Sequence, residues 1–563
     1  MASTEYNCHY LESLTGLKSS ELEDLLSRLG FPVEFAEAEG EKKIIVEVTP
    51  NRPDMLSGVG IKRFLSYYLS PEKTANSKLL YSFAPHDLLV LSDKKKDLVV
   101  NVDHSVCDVR PFIACMVVDG IKLTQDIFTD IIQFQEKLHA TYGRKRKKIA
   151  IGFHDLAKVK FPVAYRAYSL TEKSFVPLGT GSSMTLAEIL KSHQKGLEYS
   201  HLVNRKGVIL EDVEGVLAFP PIINAAKTEV TESTKGFFVD VTGTNLFAVE
   251  KTLDIIACNL VDMGGKVFAT KVIYPNDYNI PGDNEKISGT KVYPAFSRQR
   301  FKLLSNDSVA KITGVQLAKK DLLKFLLMMG YFVDEKSKSI IVPPYRIDVF
   351  GDADIIEDIM IAYGFEKIKP DLPNLFTIGN MWQSYDHVHH TMLCLGFSEV
   401  LTWVLGNKNK YQDFYDGSYA QMVNALTSEF NLVRPLLAPN ILEVFATNKT
   451  FELPQKIYEI GQVAYKQGNS LVTREKLCVG IMANSISVND AMSVLNGLFY
   501  ELELEYEVSQ KPVKGFIQNR CAEIICNGKP IGFVGEVHPE VLEKFGIPFP
   551  VVLFELDLID MKK

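Results

Sequence analysis

Hydrophobic residues recur at helical spacing in some segments of the chain and alternate with polar residues in others. Near the amino terminus, the spacing predicts amphipathic helices at 17–31 and 51–69, with a strand at 42–50 between them. The turn-rich segment 70–78 then interrupts the pattern and is typical of a domain boundary. We therefore predict a small amino-terminal α/β unit, an α+β domain of residues 1–85.

Strand-like apolar runs dominate residues 86–275, where the helical pattern returns only at 125–143 and 245–264. This composition of elements predicts one β-rich domain. A loop-like segment at 274–284 separates it from the next predicted domain.

A compact α+β domain is predicted at 290–368, where a helix at 319–333 leads into a hairpin-like segment at 336–349. After a joint at 369–379, residues 375–563 alternate helices with strands such as "KIYEIGQVAY" and "VVLFELDL". Those strands predict an antiparallel sheet backed by helices. The fold class expected from the whole pattern is α+β and multidomain.

Length and charge limit the possible functions. With 563 residues, the chain is too long for one hydrophobic core. Its net charge of −7 argues against a protein that coats nucleic acid, so any RNA contact has to come from local basic patches. Eight scattered cysteines without a CxxC pair, no signal-like amino terminus and no long apolar stretch indicate a reduced, cytoplasmic protein without a membrane span.

The stretch "YRIDVFGDADIIEDIMIAYG" (345–364) predicts a helix with isoleucines on one face and Asp354, Glu357 and Asp358 on the other. Clustered acids repel one another unless a cation lies among them, and Asp348 is close enough in sequence to join them. Oxygen ligands favour Mg²⁺ or Ca²⁺. The alternative is that these carboxylates only complement the helix dipole.

A basic run lies in "YGRKRKKIAIG" (142–152), where Arg144, Lys145, Arg146 and Lys147 are consecutive. Such a run before a strand could bind the phosphates of RNA. It could equally be a solvated loop after the carboxyl terminus of a helix, where cations are favoured.

Another candidate ligand site is "GFFVDVTGTN" (236–245), a strand that carries Asp240 and Thr242 just before a helix. Upstream, "FPPIINA" (219–225) adds a diproline turn and Asn224. The hydroxyl and amide groups at the end of 236–245 could instead serve only as a helix cap. No segment has the spacing of a P-loop or of an HExxH metal site.

Six ordered segments together resemble the β subunit of phenylalanyl-tRNA synthetase of the archaeal and eukaryotic type. They are 46–69, 345–368, 396–405, 424–444, 457–463 and 533–547. The resemblance implies ATP-dependent attachment of phenylalanine to tRNA(Phe) by an (αβ)₂ heterotetramer, with the aminoacylation site on the α subunit. It also implies that 375–563 is a class II synthetase-like core without active-site motifs. No aminoacylation residue is therefore expected in this chain.

In this family Mg²⁺ is held by an aspartate after an arginine and by three acids of the next helix. Carried over to this sequence, the ligands are Asp348, Asp354, Glu357 and Asp358, the last an aspartate where many relatives have glutamate. The resemblance also implies that 86–275 is an editing domain, which hydrolyses tyrosine wrongly attached to the tRNA.

Editing is needed because an apolar pocket rejects an added hydroxyl only about 10²-fold. Asn224, Asp240 and Thr242 match the family's editing segments and are expected to line the pocket. The sequence departs from the family at Ala218 and Ala225, where serine is frequent, and near Asn245. Two other functions remain open at this stage: a stand-alone aminoacyl-tRNA deacylase and a non-catalytic RNA-binding assembly protein.

Overall fold

The structure is a computed structural model that describes residues 2–38, 40–72, 98–276, 278, 280, 287–334, 336–370 and 385–558. The chain forms two compact units, Met1–Leu372 and Pro373–Lys563. The boundary segments predicted at 70–78 and 369–379 lie mostly outside the described residues. Mixed α+β architecture with several separate sheets confirms the coarse fold class.

The amino-terminal part of the first unit is a three-stranded antiparallel sheet in the order β1-β3-β2, packed with three helices. Its strands and helices are β1 (Ala2–Asn7), β2 (Val33–Ala38), β3 (Glu41–Val48), α1 (Cys8–Thr15), α2 (Ser19–Arg28) and α3 (Gly58–Leu69). Alternate residues of β3 point into the core, as the period of two requires. The two predicted helices are confirmed, each shorter than its hydrophobic pattern.

A large mixed sheet comes next, in the order β12-β11-β10-β7-β4-β14-β5-β13-β6, with β15 paired to β14. The strands are β4 (Val99–Val102), β5 (Phe112–Asp119), β6 (Ile149–Asp155), β7 (Val163–Ser169), β8 (Ser174–Phe175), β9 (Met184–Thr185), β10 (Lys206–Asp212), β11 (Gly215–Phe219), β12 (Ile223–Asn224), β13 (Gly236–Gly243), β14 (Lys266–Tyr274) and β15 (Gly289–Tyr293), of which β8 and β9 form a separate ribbon. The helices are α4 (Gln125–Ala140), α5 (Leu186–Ser192), α6 (Gln194–Tyr199) and α7 (Leu246–Asp262).

Every residue of β6 and β13 is buried, which explains why these strands read as continuous apolar runs. Strand β15 extends the large sheet through Tyr293. The predicted start of the next domain, at residue 290, falls within this strand, because 290–293 are hydrogen-bonded to β14.

The small domain at the end of the first unit has a three-stranded sheet in the order β16-β18-β17. Its elements are β16 (Arg300–Lys302), β17 (Phe332–Asp334), β18 (Ser339–Ile341), α8 (Asn306–Thr313), α9 (Lys319–Met328) and α10 (Asp352–Tyr363). The helix predicted at 319–333 ends at Met328, because Gly330 adopts a positive φ of 83° and the chain turns into β17. The predicted acidic helix is confirmed as α10.

The second unit is built on an antiparallel sheet in the order β20-β22-β21-β23-β24-β28-β27-β26-β25, with a short parallel strand β19 beside β23. The strands are β19 (Ser398–Glu399), β20 (Leu405–Gly406), β21 (Ser418–Gln421), β22 (Leu432–Val433), β23 (Gln455–Gln467), β24 (Ser470–Met482), β25 (Tyr506–Ser509), β26 (Phe516–Cys526), β27 (Lys529–Val537) and β28 (Val551–Asp557). The helices are α11 (Asp386–Cys394), α12 (Lys408–Tyr411), α13 (Ala438–Thr447), α14 (Val488–Glu501) and α15 (Pro539–Phe545).

Helices α11 and α14 cover one face of this sheet, and α13 and α15 cover the other. The predicted antiparallel sheet backed by helices is confirmed. None of the helices in the described ranges has both the length and the apolar character needed to cross a bilayer.

A buried carboxyl group in α7 is expected to make the stability of the first unit depend on pH. Asp254 is fully buried, and its Oδ1 accepts a hydrogen bond from the backbone N–H of Phe296 at 2.9 Å. Burial raises the pKa of Asp254 to about 7. Because the folded state keeps a proton that the unfolded chain loses, this group's contribution to stability falls as pH rises between about 4 and 7.

We expect Asp254→Asn to become more stable relative to the wild type, by about 2–3 kcal/mol, when the pH is raised from about 5 to about 8. Chemical denaturation of both proteins at the two pH values measures this difference. A wild-type and variant difference that does not change with pH would contradict the assignment.

Candidate functional site

A cavity of about 410 Å³ lies in the large sheet, between strands β6 and β13, helix α4 and the diproline turn. Its walls are mostly apolar and include Phe128, Ile132 and Phe153. Asp240 and Asn224 reach the same cavity from β13 and β12. Two polar side chains from different strands therefore lie at one mostly apolar pocket.

Asp240 is held at the wall by the register of the central strands. It lies opposite Cys115 on β5 and Gly152 on β6, and only 1% of it is exposed. A Cβ at Gly152 would be 2.2 Å from Asp240 Oδ1, so the carboxylate fits because residue 152 is glycine. His154 Nε2 lies 2.9 Å from the same oxygen.

Asn224 follows the diproline turn, and its amide Nδ2 donates a hydrogen bond to the backbone oxygen of Phe153 at 3.1 Å. This contact orients the side-chain amide at the cavity wall. Ala218 and Ala225, where the family often has serine, are buried and do not line the cavity. These two departures therefore leave the polarity of the wall unchanged.

Thr242, which was expected to line this pocket, does not reach the cavity in the structure. Its side chain is fully buried, and its Oγ1 accepts a hydrogen bond from Arg110 Nε at 2.9 Å. Arg110 also donates to the backbone oxygen of Thr242 at 2.8 Å. Burial lowers the pKa of Arg110 to about 10. Thr242 shares a strand face with Asp240, but it is covered by this arginine.

The basic run forms a left-handed turn, with φ of 50°, 52° and 65° at Arg144, Lys145 and Arg146. Arg144, Lys145 and Lys147 are exposed. The structure removes Arg146 from the predicted set of four surface cations, because the residue is only 7% exposed. Buried hydrogen bonds rather than solvent account for its position.

Arg146 ties the basic turn to the diproline turn at the cavity. Its Nη1 donates to the backbone oxygen of Ile222 at 2.8 Å, and its Nη2 donates to Glu136 Oε1 at 2.9 Å. Burial alone would raise the pKa of Glu136, but hydrogen bonding from His139 and the nearby Arg146 lower it to about 2. Glu136, His139 and Arg146 all line the cavity.

His154, Glu136 and His139 were missed by the sequence analysis. The available signal was a histidine inside an apolar strand in "IAIGFHD" and an acid with a histidine three residues later on α4. Neither pattern has a spacing that separates a ligand site from a buried structural side chain. Their contacts become visible only in the folded structure.

The acidic helix α10 lies at a second cavity of about 610 Å³, whose walls include all four predicted metal ligands and three cations. These residues are Asp348, Asp354, Glu357, Asp358, Arg52, Lys148 and Arg346. Arg346 is buried, and it donates to Asp348 Oδ1 at 2.7 Å and to Asp358 Oδ2 at 2.7 Å. Its guanidinium therefore already neutralises two of the four carboxylates.

Asp354 caps its own helix, because its Oδ2 accepts hydrogen bonds from the backbone N–H groups of Phe350 and Gly351 at 2.7 and 2.9 Å. This is the helix-terminus alternative of the sequence analysis. Glu357 is exposed and has no hydrogen-bond or ion-pair partner within the described ranges. Across those ranges, no three carboxylate, histidine or cysteine side chains are grouped so that they could hold a metal ion. In this arrangement Arg346 and the helix terminus occupy three of the four predicted ligands, and Glu357 is the one that no described residue pairs with.

Two family profiles match this chain. One, described as the phenylalanyl tRNA synthetase beta chain CLM domain, matches residues 370–558, and the other, the tRNA synthetase B5 domain, matches 303–365. The first covers most of the second unit, and the second covers the small domain with α10.

Curated relatives match over nearly the whole chain. The phenylalanine--tRNA ligase beta subunit of Archaeoglobus fulgidus is 35% identical over 568 residues, which covers 98% of this chain and 97% of that protein. The protein of the same name from Methanocaldococcus jannaschii is 36% identical over 558 residues and covers 96% of each.

A solved structure matches part of this chain. It is an N-terminal fragment of the phenylalanyl-tRNA synthetase beta subunit from Pyrococcus horikoshii, 32% identical, with a TM-score of 0.57. The match covers 64% of this chain and 99% of the fragment. With similarity of this extent in sequence and in structure, the chain belongs to the phenylalanine--tRNA ligase beta subunit family.

Proposed function

We propose that this chain is the β subunit of a phenylalanine--tRNA ligase, which attaches phenylalanine to tRNA(Phe) with ATP as an (αβ)₂ heterotetramer in the cytoplasm. The observation that carries this proposal is the near full-length similarity to beta subunits of that ligase. The division of labour is part of the proposal: the α subunit performs the aminoacylation, and this chain supplies scaffold, tRNA contact and editing.

The second unit supports this division. A cavity of about 460 Å³ on its sheet contains Lys476, Lys511 and Lys514. Each of these lysines is paired with an acid, and the partners are Glu555, Glu523 and Asp416. Lys476 is the most deeply buried of the three, and its pairing with the fully buried Glu555 withholds it from the phosphates of ATP. We therefore propose a class II-like core that has no aminoacylation site.

The domain division is proposed with it: an amino-terminal domain at 1–85, an editing domain at 86–275, a B5-like domain at 290–368, and the synthetase-like core at 375–563. The large sheet, the small α10 domain and the antiparallel sheet support these divisions.

Co-expression with an α subunit tests the main proposal. We expect the purified pair to charge tRNA(Phe) with phenylalanine and this chain alone to form no aminoacyl-adenylate. Formation of the adenylate by the isolated chain would contradict the division of labour. Charging by the α subunit alone, at the rate of the pair, would favour the non-catalytic assembly protein.

For the first unit we propose hydrolysis of Tyr-tRNA(Phe) at the 410 Å³ cavity. The apolar walls suit an aromatic side chain, and Asp240 and Asn224 supply polar groups for its hydroxyl. Discrimination follows because phenylalanine leaves such groups without a partner. No general base is assigned: a positioned water and the terminal hydroxyls of the tRNA supply the chemistry once the ester is held in place.

We also propose that the exposed cations Arg144, Lys145 and Lys147 contact the tRNA backbone. Arg146 anchors the turn that carries these three cations beside the cavity. When the 3′ end of the tRNA is bound in the cavity, its phosphates therefore lie near the three cations. Charge on single-stranded nucleic acid makes such contacts salt-dependent.

Replacing both Lys145 and Lys147 by glutamine is expected to weaken tRNA binding by the holoenzyme about threefold to tenfold and to reduce the salt dependence by roughly one to two phosphate contacts. The matched control replaces Arg205 and Lys206, which are also exposed and adjacent in the chain. Filter binding over a range of salt concentrations measures both. Equal losses in the two double variants would show that only net charge matters.

The Mg²⁺ site stays a prediction. If the ion binds at α10, the proposed ligands remain Asp348, Asp354, Glu357 and Asp358, and Glu357 is the one without a competing partner among the described residues. We expect Mg²⁺ at ten times its Kd to stabilise the wild type by about 1.4 kcal/mol, and Glu357→Gln to lose most of this gain.

Glu366→Gln is the control for that measurement, because Glu366 is an exposed carboxylate just after the same helix. Thermal melting of all three proteins with and without Mg²⁺ provides the comparison. If Mg²⁺ raises the melting temperature of the three proteins by the same amount, the prediction that the ion binds at α10 is contradicted.

A further inference from the structure

A chain of three buried side chains runs behind the wall of the 410 Å³ cavity. His154 Nδ1 lies 2.7 Å from Thr228 Oγ1, and His154 Nε2 lies 2.9 Å from Asp240 Oδ1. His154 is completely buried, and Thr228 and Asp240 are each 1% exposed. The two ends of the chain, Thr228 and Asp240, line the cavity. His154 therefore connects two points of the cavity wall from behind.

The strand register makes this connection possible. On β6, His154 lies opposite Phe238 of β13, whereas Asp240 lies opposite Gly152. The imidazole reaches diagonally past residue 152, a distance that neighbouring strands allow. A Cβ at Gly152 would be 3.0 Å from His154 Nε2 and closer still to Asp240 Oδ1. The missing side chain at 152 is what leaves room for the hydrogen bond.

The donor and acceptor chemistry gives the contact a direction. An ionised carboxylate can only accept, which favours the tautomer in which His154 Nε2 carries the hydrogen and donates it to Asp240 Oδ1. Thr228 completes the pairing of the ring at Nδ1. Asp240 Oδ2 accepts no hydrogen bond from the described residues, while Oδ1 is engaged. The carboxylate is thus oriented with one oxygen turned to the protein and the other available to a ligand.

We infer that His154 is a positioning residue of this cavity, which orients Asp240 so that its second oxygen accepts a hydrogen bond from the phenolic hydroxyl of a tyrosyl ester. This inference rests on the proposed editing function and deepens it. His154 itself does not touch the ligand, and its whole effect passes through Asp240. A double-mutant cycle separates such an indirect role from general support of the fold.

The experiment uses the holoenzyme with its α subunit and preformed Tyr-tRNA(Phe). We expect His154→Phe to lower kcat/KM for deacylation about tenfold, and His154→Gln, which keeps a donor toward Asp240, to lower it less than about threefold. When Asp240 is already asparagine, His154→Phe should cost less than about twofold. Charging with phenylalanine by the same preparations serves as the control for folding.

Equal costs of His154→Phe with either residue at 240, or no cost in either, would overturn the inference and leave the editing function standing. A wild-type holoenzyme that does not hydrolyse Tyr-tRNA(Phe) would overturn the editing function and the inference together. If His154→Phe does not fold, Thr228→Val carries the test. It should lower kcat/KM about threefold in the wild type and have no effect beside Asp240→Asn, and equal effects would overturn the inference.

Discussion

Replacing Glu459 by alanine is expected to lower the unfolding free energy of the second unit by about 3–5 kcal/mol. Glu459 is completely buried on β23, and Arg434, also buried, donates to its Oε1 at 2.7 Å. Thr402 Oγ1 donates to Glu459 Oε2 at 2.7 Å. Loss of the glutamate leaves a guanidinium inside the protein without its counter-charge, which is the costly way to break a buried ion pair.

The contacts around Arg434 prevent its side chain from moving into solvent when Glu459 is removed. A Cβ at Gly461 would be 2.3 Å from Arg434 Nη2, so the guanidinium lies directly on the strand backbone. Its Nε also donates to the backbone oxygen of Gln462 at 2.9 Å. These contacts keep the charge in place when Glu459 is removed, and the penalty is not avoided by a swing of the side chain into solvent.

Chemical denaturation of the full chain, followed by hydrogen–deuterium exchange of the backbone amides of β23 and β24, measures this effect in the second unit. The control is Asp416→Ala, which breaks the solvent-exposed pair with Lys514 and should cost less than about 1 kcal/mol.

Replacing both Arg434 and Glu459 by methionine should recover much of the loss, because no buried charge then remains. A cost below about 1 kcal/mol for Glu459→Ala would mean that the pair does not hold this part of the sheet together.

The second large effect is expected from Asp240→Asn, which should lower kcat/KM for hydrolysis of Tyr-tRNA(Phe) about 10- to 100-fold. With His154 in the tautomer that donates from Nε2, the asparagine turns its oxygen to His154 and its NH₂ group to the cavity. The acceptor for the tyrosine hydroxyl is then replaced by a donor. The isosteric change leaves the packing beside Gly152 intact.

Deacylation of preformed Tyr-tRNA(Phe) by the holoenzyme measures this loss, and charging with phenylalanine should be unchanged. Glu232→Gln, an exposed change of the same chemical type in the loop before β13, is the matched control. If Asp240→Asn and Glu232→Gln hydrolyse the ester equally fast, Asp240 is not the residue that recognises the hydroxyl.

Much of the architecture could be predicted from the chain alone. The helical spacing at α2, α3 and α10 and the alternation in β3 were visible because each element buries one face. The bounds were less accurate, since a hydrophobic pattern continues across a turn such as the one at Gly330. The resemblance to the family also made Asp240 and Asn224 candidates for one pocket, and both line the same cavity in the structure.

The partners of the polar side chains were decided by tertiary structure. Thr242 was expected at the pocket and instead accepts from Arg110, 132 positions away. Arg146 was expected at the surface and is buried against the diproline turn. Asp358 was expected to bind a metal ion and is paired with Arg346. Each of these outcomes depends on strand register and helix packing, which local spacing does not contain.

The order of residues was enough to determine the elements, the antiparallel core of the second unit and, through its ordered motifs, the family. Only the folded chain decided which carboxylates are neutralised and which stay available. His154 lies 74 positions from Thr228 and 86 from Asp240, and no periodic pattern links residues so far apart. The physical reason is that the pattern of buried hydrophobic residues repeats within a single helix or strand and is visible in the sequence. The partner of a buried charge, in contrast, is set only when several elements pack together.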